Sequence, residues 1–396
     1  MSSSQTADVA IIGGGITGIA TAYYLSKRGL RVTLIERDHL AAGSTGRTVA
    51  GVRQQGRSRW QLPLMFEAVK RWKTLEEELG APVGYQQHGH LMLAANEDVL
   101  DFFKTGPYGV DEQATEGLDT RIVSREEVLE LVPRLKGPFV GGRYTGSDGG
   151  AHPQLTVNAY ARAAEARGAK LLLGTEAVGL VIEGDRVRGV KTSAGTVEAP
   201  FVVNAAGVWA KEVGSWANLD LPITPERGQV LLSGPLPPLV RPYVIHGDLE
   251  GQRVYLRQRH DGRIITGLGN PEQKPGWSTD VDPDFESELR RRLRILIPDL
   301  ADIPRESTWG GLYEVTPDTE FIIDVLQEPQ GLVLACGFSA QGFGPGPAVG
   351  DLLAEWIATG KRPELLAPFS PERFKRGTVR KHRLLGEMSG KSDSGH

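Results

Sequence analysis

The chain has 396 residues, 40% hydrophobic and 24% charged, with a formal net charge of -4 at pH 7. That balance fits a globular protein of one elaborated domain or two, and it excludes a broad nucleic-acid-binding surface. The single cysteine, Cys336, excludes an intrachain disulfide, and it excludes a thiolate zinc site or an iron–sulfur cluster built from this chain alone.

The first predicted element is the apolar run Val9-Ala10-Ile11-Ile12, which reads as a buried strand. The turn Gly13-Gly14-Gly15 and the helix start Ile16-Thr17-Gly18 follow. In this pattern Gly13 permits the tight turn, Gly15 lets the backbone approach a pyrophosphate, and Gly18 lets the helix pack closely. The helix N-terminus offers free N–H groups to phosphate. The helix is expected over 17–28, closed by Gly29. A strand over 31–36 then ends in Glu36, followed by Arg37, where a carboxylate can accept from ribose hydroxyls. This is a dinucleotide-binding pattern. The first apolar run is thus a core strand and not a leader peptide; no run is long enough to span a membrane. A cytoplasmic location is expected, with peripheral contact to a membrane electron acceptor left open.

Residues 62–79 carry Phe66, Val69, Trp72 and Leu75 at helical spacing and stop at Gly80-Ala81-Pro82. Short strands are expected over 83–95 and a short helix over 124–131. A helix over 152–167 and a strand over 169–173 come next. A hairpin joins 178–182 to 187–192, and a strand over 201–203 runs into Asn204-Ala205-Ala206-Gly207. Between 221 and 309 the pattern favours antiparallel strands, at 230–232, 253–257 and 263–266, interrupted by a charged helix over 283–297. Strands at 320–325 and 331–335 lead to a glycine-rich loop, 337–344, and a helix over 348–357. The alternation predicts an α/β fold: a Rossmann-like dinucleotide-binding domain with a discontinuous, largely antiparallel-sheet substrate domain. The first takes segments 8–80, 148–215 and 316–371; the second takes 81–147 and 216–315. Residues 372–396 are charged and poor in apolar groups, and read as a surface or weakly ordered tail.

Five segments in this order resemble the FAD-dependent amine and amino-acid oxidoreductases of the D-amino-acid oxidase superfamily. The likeness covers about residues 8–372, and the branch it resembles holds sarcosine oxidase, dimethylglycine dehydrogenase and dye-linked proline dehydrogenase. The segments are Ile11 to Gly18, Ala42 to Gln55, Val203 to Ala210, Thr316-Pro317-Asp318 with Phe321 to Asp324, and Gly337 to Phe343. The resemblance implies an FAD-binding domain. Gly13, Gly15, Ile16, Thr17, Gly18, Glu36 and Arg37 would serve the ADP half, and the backbone of Val178 the adenine. Ser44, Thr45 and Arg47 would lie toward the pyrophosphate or flavin. Ala206, Gly207 and Trp209 would approach from another segment, and Gly337, Phe338, Gly342, Phe343 and Gly344 would shape the flavin end. Arg53 would contact a substrate carboxylate, and Tyr313 and, more weakly, Tyr255 would lie on the substrate side, with Arg257 a further candidate.

Three positions depart from the sarcosine oxidase pattern. Gly311 stands where that pattern has the cysteine that attaches FAD, so noncovalent FAD is expected. Ile265 stands where a lysine assists reaction with oxygen, and Gly344 stands where a lysine contacts the substrate carboxylate. The implied reaction is oxidation of a secondary or tertiary amine, an N-substituted amino acid or a cyclic imino acid, by hydride transfer to flavin N5 to give an imine. A dehydrogenase is favoured over an oxidase. The partners implied are a small amine substrate, oxygen or another electron acceptor, and a partner subunit as an option; nucleic acid is excluded. A flavoprotein assembly or redox-chaperone subunit with little turnover of its own stays open, as does an FAD-dependent hydroxy-acid oxidoreductase.

Overall fold

The computed structural model describes residues 5–247, 253–269, 275–375 and 377. Its organising element is a six-stranded sheet in the order Ile322–Val325, Leu332–Cys336, Phe201–Asn204, Val9–Ile12, Val32–Ile35, Lys170–Leu172. All neighbours run parallel except Ile322–Val325, which is antiparallel to Leu332–Cys336. Continuous apolar runs form its centre because parallel strands are covered on both faces; every residue of Val9–Ile12 and of Leu332–Cys336 is buried. Helices Ile16–Lys27, Leu62–Leu79, Pro153–Glu165 and Gly346–Thr359 contribute to the core on one side. A four-stranded sheet, Gln5–Thr6, Gly195–Glu198, Arg186–Thr192 and Ala177–Glu183, contributes to the core on the other.

The second large sheet has eight strands, in the order Arg305–Val315, Thr224–Pro235, Arg263–Gly269, Arg253–Gln258, Tyr243–Gly247, His90–Ala94, Gly141–Thr145, Thr120–Ser124. Its pairings are antiparallel except that of Tyr243–Gly247 with His90–Ala94. Side chains alternate across it. Leu231, Leu256 and Ile264 pack with Phe285, Leu289 and Leu293 of helix Phe285–Leu296. Val230 and Ile265 cluster instead with Tyr255, Val49 and Trp309. Strand Arg305–Val315 ends in a turn, 316–321, that leads directly into Ile322–Val325 of the first sheet.

The expected helix over 62–79 is observed, and Gly80 closes it in the left-handed conformation. Only His90–Ala94 forms a strand within 83–95, and helices Glu97–Thr105 and Val110–Thr115 follow it unannounced. Asn96 caps the first of these by accepting from the Val99 N–H. Strand Thr224–Pro235 is far longer than 230–232, because pairing with Arg305–Val315 carries it through Pro225 and Gly228. The start of the expected tail is not loose. Arg373, in helix Glu372–Lys375, is buried and paired with buried Asp318. Position 376 and those from 378 onward lie outside the described residues.

Candidate functional site

A cleft of about 450 Å³ runs between the two large sheets, large enough for a ligand-sized molecule. Its nucleotide wall begins at Gly13, whose φ of +111° is open to glycine and whose added Cβ would stand 2.3 Å from the Ala205 carbonyl oxygen. Gly18 sits one helical turn on, where a Cβ would stand 2.0 Å from the Gly13 carbonyl oxygen. It does not line the cleft; it lets the helix close on the turn. Glu36 accepts the Gly14 N–H at 2.8 Å on one oxygen and the Asp38 N–H at 2.9 Å on the other. Each oxygen keeps acceptor capacity toward the cleft it lines. Thr45 Oγ1 accepts the Ile16 N–H at 3.1 Å, so the short helix Ser44–Arg47 is tied to the start of helix Ile16–Lys27. The Ser44 hydroxyl donates to the Leu312 carbonyl at 2.6 Å.

Among the expected cofactor residues, Gly13, Gly15, Ile16, Thr17, Glu36, Arg37, Ser44, Thr45, Arg47, Ala206, Gly207, Trp209, Phe338, Gly342 and Phe343 all line this one cleft. Val178 does not: it is 54% exposed, and the chain meets the cleft one and two residues earlier, at Ala177 and Glu176. A register shift between Ala177 and Gly179 turns the strand there. Gly337 and Gly344 lie behind the cleft-lining part of their loop. A Cβ on Gly337 would press on Thr316 and Ile322, and one on Gly344 would press on Met65 and the backbone of 51–52. The 344 position thus faces packed chain, so its glycine opens no space in the cleft. Trp209 carries the Arg37 guanidinium 4.0 Å from its ring centre.

On the opposite wall Tyr313 lines the cleft and Tyr255 stands behind it. Tyr255 donates to the Gln229 carbonyl at 3.3 Å, and its phenol lies close enough to that of Tyr313 for the two to influence each other. Burial pushes both phenols upward, so both stay protonated and act as donors. Arg53 lies outside the cleft lining, just past strand Gly51–Val52, which packs against Gly344. Its guanidinium has no hydrogen-bond or carboxylate partner among the described residues. Its charge is felt at Arg57, Arg143, His90 and Tyr243, and burial holds Arg143 down to about 9 and His90 down to about 4. Buried Asp148 accepts the N–H groups of Gln54 and Gln55 and so fixes the segment that follows Arg53. Arg257 is structural: it is buried and donates to the Val49 and Ala151 carbonyls at 3.0 and 2.9 Å.

Sequence reasoning passed over Glu314, Trp277 and Thr279, which also line the cleft. Glu314 accepts from the N–H groups of Gly337 and Phe338, yet burial raises its carboxyl to about 7. Its sequence signal was a carboxylate between apolar residues in the strand that carries Tyr313. The Thr316-Pro317-Asp318 turn beside it is a buried lock and not a reacting group. Thr316 Oγ1 bonds to the Glu320 carbonyl and to Ser339, and Asp318 takes Arg373 at 2.7 Å.

A parallel sheet with a glycine turn after its first strand, facing a tyrosine-bearing antiparallel sheet across a long cleft, defines a dinucleotide-binding architecture. The chain belongs to the DAO family of FAD dependent oxidoreductases, whose pattern matches residues 8–356. It is 32% identical to mouse (Mus musculus) mitochondrial dimethylglycine dehydrogenase over 394 residues, 94% of this chain, and it spans 45% of that protein's length. It is 30% identical to the sarcosine oxidase beta subunit of an Arthrobacter species, covering 93% of this chain and 91% of that one. Among solved structures it resembles L-proline dehydrogenase from P. horikoshii, with a TM-score of 0.89 and 33% identity over 96% of this chain and all of that one. The cofactor is FAD, and the residues fit it: Gly13 and Gly15 leave backbone bare where a pyrophosphate must approach, and Glu36 offers free acceptor capacity. Among the described residues no helix is long and apolar enough to cross a membrane, and no group of three metal-ligating side chains occurs.

Proposed function

We propose that this protein oxidises a secondary or tertiary amine bearing a carboxylate, an N-substituted amino acid or a cyclic imino acid, with noncovalent FAD. Bound FAD supplies the electron acceptor for a hydride equivalent leaving the amine-bearing carbon, which becomes an imine carbon. The observation that carries the reading is Arg53, a guanidinium without a partner among the described residues, placed beside the loop that bounds the cleft. It is suited to hold a carboxylate through two parallel hydrogen bonds. The surrounding excess of guanidinium disfavours a further cation, and so favours the neutral amine that can release a hydride. The Tyr255–Tyr313 pair supplies a protonated phenol that orients the substrate and needs no catalytic base.

Gly311 supports noncovalent attachment: it has no side chain to form a bond, and a Cβ there would stand 2.9 Å from Arg47 Cβ. Ile265 supports a dehydrogenase. It is buried on the sheet face that also carries Tyr255, where a cation would be needed to stabilise charge on reduced oxygen. Its neighbour on the other face, Ile264, supplies no cation either. The acceptor is then a quinone, another flavin or an electron-transfer protein, and a partner subunit is compatible with the likeness to a sarcosine oxidase subunit.

The test is anaerobic addition of amines to the purified protein while its flavin spectrum is recorded. Secondary amino acids are expected to bleach the flavin, and their matched amides to do so far more weakly. Equal bleaching by acid and amide overturns carboxylate recognition, and bleaching only by hydroxy acids overturns the amine reading. Reduced protein is expected to reoxidise slowly in air and rapidly with an artificial acceptor; rapid reoxidation in air overturns the dehydrogenase assignment.

A further inference from the structure

Trp277 is a large aromatic side chain with 57% of its surface exposed. It lies in the connection between strand Arg263–Gly269 and helix Phe285–Leu296, on the side of the antiparallel sheet. Yet it lines the cleft, and its ring centre is 6.1 Å from that of Trp209 on the nucleotide wall. Trp209 in turn carries Arg37, the residue after Glu36. Arg37, Trp209 and Trp277 therefore form one contiguous row in the cleft lining near Glu36, the two indole planes tilted 36° to each other.

The segment holding Trp277 is fixed on both sides of the ring. The Gly276 N–H donates to the Pro225 carbonyl at 2.9 Å. Arg227 donates to the Asp280 carbonyl and pairs with the Asp282 carboxylate at 2.7 Å. Gln229 and Asp282 exchange two further hydrogen bonds, at 2.7 and 2.6 Å. Gly310 makes room for it: a Cβ there would stand 2.4 Å from the Thr279 carbonyl oxygen. An exposed ring held this firmly is preorganised, so little freedom is lost when a ligand stacks or packs against it.

We propose that Trp277 is a cofactor-retaining residue, supplied by the substrate-side sheet, that covers the adenosine half of FAD by extending the Arg37–Trp209 stack. The contact is with the nucleotide and leaves the reacting end untouched. The proposal depends on the FAD assignment and stands or falls separately from the amine reading, because its test involves no turnover.

The test compares FAD release from the full-length holoprotein on dilution, followed by the rise in flavin fluorescence. Trp277→Ala is expected to release FAD about fivefold faster or more, and Trp277→Phe to stay within about twofold of the parent. When the stripped full chain is reloaded with FMN, which lacks the adenosine half, the parent and Trp277→Ala are expected to bind it equally. Arg227→Ala keeps the ring but frees its segment; it is expected to speed FAD release in the same direction, and it decides the matter where the alanine variant does not fold. Unchanged FAD release in Trp277→Ala, or equal weakening of FMN and FAD, overturns the proposal.

Discussion

Along the nucleotide wall most of the chemistry is presented by backbone; across the cleft it is presented by side chains. The first wall offers the bare turn at Gly13 to Gly15 and the start of helix Ile16–Lys27, with Glu36 holding the Gly14 N–H of that turn and the Asp38 N–H beside itself. The second offers Tyr313, with Tyr255 behind it and Arg53 just outside the lining, the arginine more than two hundred residues before either tyrosine. A backbone-built wall recognises a part common to many ligands, a pyrophosphate and a ribose. A side-chain wall can change its substrate by exchanging a few residues and leave the cofactor undisturbed.

The contrast is broken most severely on the backbone side. Gly13→Val is expected to leave the purified protein without bound flavin, measured as the ratio of flavin to protein absorbance after desalting. The positive φ alone costs a valine roughly 1–3 kcal/mol, and the side chain would also strike the Ala205 carbonyl. Retained flavin would show that the turn has room the geometry denies.

Next in size is the lock that joins the two walls. Arg373→Ala leaves the Asp318 carboxylate buried without its ion pair, and is expected to lower unfolding free energy by about 3–5 kcal/mol, read from a urea midpoint at constant slope. A small effect would mean that Thr316 and Gln61 hold the turn 316–321 without the ion pair.

Glu314 gives a pH signature at the same junction. Its carboxyl is raised from an ordinary 4.5 to about 7 by burial, so the folded state favours the protonated form. The associated stability is fully present below the ordinary value and is lost as pH rises through about 7, by about 3 kcal/mol in total. Glu314→Gln keeps an acceptor for the Gly337 N–H and is expected to flatten the fall in melting temperature between about pH 4.5 and 7. An unchanged slope would assign the titration to another group.

The smallest change falls on the substrate wall and is the most selective. Arg53→Ala is expected to raise KM for the acid substrate about tenfold to a hundredfold, the worth of a charge-assisted pair. FAD content and activity on the matched amide should stay unchanged. Loss of FAD would place Arg53 with the cofactor and blur the division between the walls.

Most of the nucleotide wall was legible in the sequence because it is local. A strand, three glycines, a helix and an acidic residue one strand later stand in fixed order, and Gly18 answers a steric demand from Gly13 itself, although Gly13 is pressed by Ala205 of a distant segment. The same reasoning gave the helix over 62–79 and its closing Gly80. It did not show that, beside a register shift, the cleft is lined by Ala177 and Glu176 and not by Val178. Nor did it show that Arg373, at the start of the charged end, is buried against Asp318, 55 residues back.

The sequence by itself determined the cofactor class, the order of the core strands' segments and the absence of a thiol at position 311. Tertiary structure decided what depends on pairing between distant strands. It set the face on which Ile265 and Tyr255 lie, put the Glu314 carboxyl in the cleft, left Gly344 in packed chain, and brought Trp277 across to Trp209. A glycine turn carries its geometry within a few residues. A side chain's environment is fixed only when sheet register and crossing segments bring remote parts of the chain together.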